Sequence, residues 1–212
     1  GTVGGGIGPF ALGAGTMTVS GSTTLNAPAA AGVININSGT LTLGSSGSFT
    51  GATAAIAVAS GASLDAVTPG GFSLVSGQTL GGAGTIVGDL FFDSGSKIAF
   101  STSNTLTISS GTASFAAGFG IDDLVGLDGN TVAENTYTLL AGTVDPLNLD
   151  NVGFANRVSI GGGKEAYFAA GSLQVLVVPE PALGGIAACL AAAGLARRLR
   201  KGCPSLMGHQ QF

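Results

Sequence analysis

"SGQTLGGAGTIVGDLFFDSGSKIAF", residues 76–100, is the stretch whose reading decides the fold. Short apolar or alternating runs are cut by Ser-Gly and Gly-Gly, and the only charges are Asp89, Asp93 and Lys97. Val, Ile, Leu and Phe suit a pleated, half-buried surface, while Gly and Ser suit the turns between such surfaces. The stretch therefore reads as several short strands joined by turns. The same grammar runs outward from it, in "GTLTLG" at 39–44 and "GASLDAV" at 61–67.

Ser-Gly recurs at Ser20, Ser38, Ser60, Ser76, Ser94 and Ser110, at intervals of 18, 22, 16, 18 and 16 residues, with Ser46-Gly47 falling between two of them. An imperfect period near 20 with strand-like content predicts stacked coils of a β-solenoid. One coil cannot bury its own apolar face; stacking gives all coils a shared column of Leu, Ile, Val and Phe. A β-sandwich of meandering hairpins is the alternative, because the same turn spacing permits it.

Composition agrees with an all-β body. The chain has 212 residues, is 45% hydrophobic and only 8% charged, and holds 38 Gly and no Trp. That is enough apolar material for a core and too little charge for a disordered chain. The net charge of −4 conceals an asymmetry. Setting aside Arg197, Arg198, Arg200 and Lys201 leaves 3 basic against 11 acidic residues, which is −8. A body of that sign repels phosphate, so no nucleic-acid partner is expected. The two cysteines, Cys189 and Cys203, both lie outside the strand-rich body, which therefore cannot hold a disulfide. The opening "GTVGGGIGPFALGAGT" has the texture of a repetitive region, and the chain is expected to be the C-terminal part of something longer.

"SGTLTLGSSGSF" and the 76–100 stretch resemble the autotransporter-associated β-strand repeat of bacterial surface proteins. Gly39, Leu41 and Leu43 match its first element; Gly82, Gly84, Thr85, Ile86 and Gly88 match its second. The likeness spans residues 10 to 115, within a solenoid expected over 1–115. It implies a right-handed parallel β-helix displayed outside the cell, and it implies no catalytic activity.

From residue 116 charge rises and Ser-Gly breaks thin out. Strands are expected in "TYTLLAG", "RVSIGG", "EAYFAA" and "SLQVLVV", with "SIGGGKEAYFA" forming a hairpin around a Gly-rich turn. Residues 116–178 are expected to form a β-rich cap over the otherwise unpaired solenoid end.

The tail reads differently again. Pro179 and Pro181 stop strand pairing and permit a helix to start just beyond them. Residues 182–196 carry no charge, and as a helix they would span roughly 22 Å against the ~30 Å apolar core of a bilayer. Arg197 and Arg198 can snorkel to extend that span. A soluble amphipathic helix is the plainer reading, but the run has no polar face. Gly184 and Ala188 give the small-residue spacing of close helix contacts, and the basic cluster places the tail 202–212 in the cytoplasm. Val178, Pro179, Glu180 and Pro181, the apolar run, and then Arg197, Arg198, Arg200 and Lys201 resemble the PEP-CTERM sorting signal, here over 179–201. That resemblance implies processing near Pro-Glu-Pro by an exosortase, a membrane-embedded cysteine transpeptidase. It also implies transfer from the inner membrane to the cell surface or matrix in bacteria that make exopolysaccharide. Members of that family stop soon after the basic cluster, whereas this chain continues with "GCPSLMGHQQF".

No enzyme is expected. The only histidine, His209, falls beyond the predicted helix, which leaves no nucleophile–His–carboxylate triad in the body. There is no Cys/His cluster for zinc, and the runs "GGGIG" and "GGAG" lack the Lys-Ser/Thr of a phosphate loop. Asp122, Asp123 and Asp128 form the densest carboxylate group, and Asp89 and Asp93 would share one side of a strand. Neither set fits a calcium loop, and turn-capping is the expected role of all five. Glycan cleavage would want more partners than Lys97, Arg157 and Lys164. The expectations are thus no catalytic residues, no cofactor and no metal, in a surface or matrix protein of adhesion or biofilm. The alternative is the end of a secreted carbohydrate-binding or carbohydrate-active β-helix.

Overall fold

Three flat faces meet at glycine-rich corners and wind about five times to make a parallel β-solenoid. The computed structural model of the protein describes residues 10–50, 54–169 and 173–181, and the strands below, numbered in chain order, are those among these residues. The first face stacks β2 (Thr16–Ser20), β5 (Val33–Ser38), β8 (Ala55–Val58), β11 (Thr79–Gly82), β14 (Lys97–Ala99) and β16 (Leu124–Val125), all parallel. The second stacks β3 (Thr23–Leu25), β6 (Thr40–Leu43), β9 (Ser63–Asp65), β12 (Thr85–Val87), the first part of β15 (Leu106–Phe115) and then β17 (Asn135–Val144). The third holds β1 (Phe10–Ala11), β4 (Pro28–Ala30) and β7 (Ser48–Phe49), followed by β10 (Phe72–Leu74), β13 (Leu90–Phe92) and the second part of β15. The sandwich alternative, which requires antiparallel meanders, does not describe these ladders.

The alternation of each strand sets the core. Met17, Ile34, Ile56, Leu80, Ile98 and Leu124 sit in register one above another on the first face, and all point inward. Leu41, Leu64, Ile86 and Ile108 form the matching column on the second. Each such side chain stabilises the stack by about 1.5–3 kcal/mol relative to exposure. On the third face Phe92 and Phe115 stack at 5.0 Å, with Phe119 tilted against both.

The coils are unequal. Along the first-face column the step is 17 residues from Met17 to Ile34, 22 to Ile56, 24 to Leu80, 18 to Ile98 and 26 to Leu124. Ser-Gly marks corners rather than coils. Ser20 and Ser38 end first-face strands and Ser60 follows one, Ser76 and Ser94 precede them, and Ser110 lies at the bend inside β15. At that bend Ser110 takes the left-handed conformation, φ 58°, and one layer on Gly142 bends β17 with φ 116°.

Between β7 and β10 the third face has no ladder. Phe49 and Phe72 meet edge to face there, 5.4 Å apart. The side chain of Gln78, fully buried, spans the seam: its amide nitrogen donates to the Phe49 carbonyl at 3.0 Å, and its amide oxygen accepts from the Val75 N–H at 3.1 Å.

Beyond β17 the pairing changes sign. β20 (Leu173–Pro179) runs antiparallel to β17, then β19 (Lys164–Ala169) antiparallel to β20, then β18 (Val158–Gly161) antiparallel to β19. The hairpin expected around the Gly-rich turn is the β18–β19 pair. Ala166, Phe168, Val175 and Val177 face inward from this sheet. The Lys164 ammonium donates to the carbonyls of Gly129 at 2.8 Å and Val132 at 2.7 Å, tying the crossing loop to it. The chain divides into two compact units, Gly1–Pro179 and Glu180–Phe212; the solenoid and its end sheet lie in the first.

Candidate functional site

The first residues of the Val-Pro-Glu-Pro motif belong to a strand. Val178 pairs with Glu165 and Pro179 with Lys164 at the end of β20, and Glu180 and Pro181 follow outside any element, exposed. Proline lacks an N–H and is tolerated at the end of a ladder but not within it, which fixes where β20 stops. The unit boundary falls at the same place, after Pro179. The apolar run 182–196, the basic residues Arg197, Arg198, Arg200 and Lys201, the tail 202–212, His209 and both cysteines lie outside the described residues. Among the described residues no helix is long and apolar enough to cross a membrane.

Of the aspartates singled out in the sequence, Asp93, Asp123 and Asp128 cap local turns, whereas Asp89 reaches a backbone N–H 23 residues on. Asp89 accepts from the Thr112 N–H at 2.9 Å, Asp93 from Ser94 at 2.8 Å, and Asp123 from Gly120 at 3.0 Å. Asp89 and Asp93 flank β13 and are both exposed on its outer side, as alternate positions must be. Asp128 accepts from both the backbone and the side-chain N–H of Asn130, each at 2.9 Å. The backbone bond, ahead of the side-chain bond and the nearby Lys164 charge, holds its carboxyl below the usual aspartate value. Asp122 is exposed on the short 3₁₀ turn Ile121–Asp123. No group of three or more potential metal ligands comes together among the described residues.

The outer surfaces carry the remaining chemistry. On the second face Thr40, Ser63, Thr85 and Thr107 lie in register, a ladder of hydroxyls with one strand spacing, about 4.8 Å, between neighbours. On the outer side of the end sheet stand Tyr167 and Glu165 of β19, Leu176 and Gln174 of β20, and Thr136 and Thr138 of β17. Arg157, just before β18, forms an ion pair with Glu165 and lies over the ring of the exposed Phe154, 4.2 Å from its centre. Phe154 meets Tyr167 edge to face at 5.8 Å. Sequence reading noted Arg157 only as a scarce cation and did not single out Phe154, because one Phe in a loop carries no periodic signal.

Compared with protein families, with curated proteins and with solved structures, the chain matches none.

Proposed function

We propose that this chain is the cargo of a C-terminal sorting signal: a non-enzymatic β-solenoid exported across the inner membrane, anchored there until processed, and delivered to the cell surface or extracellular matrix to serve adhesion or biofilm structure. The observation that carries this reading is positional. Val178 to Pro181 stand where the last strand stops and one compact unit gives way to the next, which is where a processing enzyme needs an extended segment outside the fold. The order that follows in sequence, an uncharged run at 182–196 and then Arg197, Arg198, Arg200 and Lys201, supports membrane insertion before cleavage, with the basic end inside. Right-handed winding, the hand adopted by nearly all parallel crossovers, belongs to the same proposal, as does kinship with the autotransporter-associated repeats. The turn roles of Asp93, Asp123 and Asp128, and the bond of Asp89 to the Thr112 N–H, support a scaffold rather than a catalyst.

The test is the mass of the mature C-terminus in cells with and without their exosortase. Loss of everything beyond about Pro181, only where the enzyme is present, is the expected result. A tail still ending at Phe212 in both strains overturns the reading.

A further inference from the structure

The loop before β18 spends unusual structure on holding one apolar ring in water. Phe154 is 57% exposed. Around it, Asn151 takes the left-handed conformation at φ 56° and Gly153 a φ of 80°. The Asn151 side chain accepts from the Ile121 N–H at 3.0 Å, and the Asn156 side chain donates to the Val152 carbonyl at 2.8 Å. The backbone is tied to β19 by Gly153 N–H to Phe168 O and Phe168 N–H to Asn151 O, each 2.9 Å. Arg157 then donates through Nη1 to the Phe154 carbonyl at 2.9 Å and through Nε to Glu165. Asn is one of the few non-glycine residues that enter the left-handed region readily, and a Phe left in solvent forgoes burial. Fastening the loop requires neither the ring nor its exposure.

From this arrangement we propose that Phe154, Tyr167, Arg157 and Glu165 form a binding patch for a neutral polysaccharide strand. The proposal deepens the matrix reading by naming a partner class and a site, and it rests on that reading only for where the polysaccharide is met. An aromatic face attracts the C–H-rich face of a sugar ring; Arg157 covers one face of Phe154, and the Tyr167 ring at right angles to Phe154 adds a second aromatic surface beside it. Of the five N–H donors of the Arg157 guanidinium, one is engaged by Glu165 and one by the Phe154 carbonyl; the three that remain, with the Glu165 carboxylate beside them, suit vicinal hydroxyls. Pre-ordering the loop lowers the entropy lost on binding.

The surroundings select against other polymers. Arg157 is already neutralised by Glu165, and the neighbouring outer positions Thr136, Thr138, Gln174 and Leu176 are uncharged. An acidic polymer would gain no net attraction there.

Affinity electrophoresis of the full 212-residue chain tests this, in native gels containing a soluble β-glucan, a galactomannan or alginate. Retardation by at least one neutral polymer is expected, with Phe154→Ala about tenfold weaker, Phe154→Tyr close to native, and Phe91→Ala, at a half-exposed ring on the third face, unchanged. Thermal unfolding followed by circular dichroism should be nearly the same for Phe154→Ala and native, since that ring is outside the core. No retardation by either neutral polymer, retardation by alginate alone, or equal retardation of Phe154→Ala and native each overturns the proposal. None of these outcomes involves the exosortase, so failure here is distinct from failure of the sorting test.

Discussion

The side chain of Gln78 and the carbonyl of Phe49, 29 residues apart in sequence, are joined by a buried hydrogen bond of 3.0 Å that bridges the one described break in the third face. An amide can serve both edges of such a gap because it donates and accepts at once. Gln78→Leu keeps the volume but leaves the Phe49 carbonyl and the Val75 N–H without this partner. A loss of about 2 kcal/mol is expected, read from urea unfolding; a variant as stable as native would show that the seam is held by Phe49 and Phe72 alone.

The corners make opposite predictions for two small residues. Gly39 has φ 72°, and a Cβ there would lie 2.5 Å from the carbonyl carbon of Gly21 in the coil before. Gly39→Ala is therefore expected to cost about 2 kcal/mol or more. Ser110 already carries left-handed strain. Ser110→Gly removes about 1–2 kcal/mol of it against about 0.5–1 kcal/mol of added chain entropy, so its melting temperature should equal or slightly exceed the native value.

At the end sheet, Lys164→Met keeps the aliphatic stem and deletes the ammonium that serves the Gly129 and Val132 carbonyls. Charged hydrogen bonds contribute about 1.5–3 kcal/mol each, and the substitution is expected to cost at least one such bond. Hydrogen exchange should quicken first at residues 129–132, ahead of the solenoid coils; uniform quickening would contradict a local role.

Asp128 predicts a pH dependence whose sign follows from its lowered value. Because the folded carboxyl is the stronger acid, its share of stability is complete above about pH 4 and disappears as pH falls through its own lower value. Asp128→Asn should flatten that part of the acid limb, being slightly less stable than native at pH 7 and converging on it at the acid end. The group is fully exposed, so the effect should be small and should shrink further in salt. An acid limb identical in native and variant proteins would rule out this contribution.

Strand content and coil stacking were legible because inward Leu, Ile and Val recur at alternate positions, as in Leu41–Leu43 and Leu80, whatever the coil length. The coil period was less so. Ser-Gly at 20, 38 and 60 marks one corner of the triangle, and at 76 and 94 another, so the intervals between them mix two registers. What fixes the true step is the ladder, which tolerates an added residue at a corner without moving any inward side chain. Gln78 was illegible for a different reason: a Gln after Ser-Gly looks like a solvated turn, and only the seam beside it turns it inward. Of the proposed processing motif, residue order was plain, but the pairing of Val178 and Pro179 with β19 depends on register across a Gly-rich hairpin, which composition does not specify.

β20 is paired on both sides, to β17 and to β19, and the chain leaves the folded unit from its end at Pro179. Its hydrogen bonds lie across the strand direction. A pull on the segment after Pro179 along the strand therefore loads both ladders in shear at once, with their bonds sharing the force, instead of unzipping them one by one. A protein held by that end against flowing water would resist extraction at the point where it is tethered.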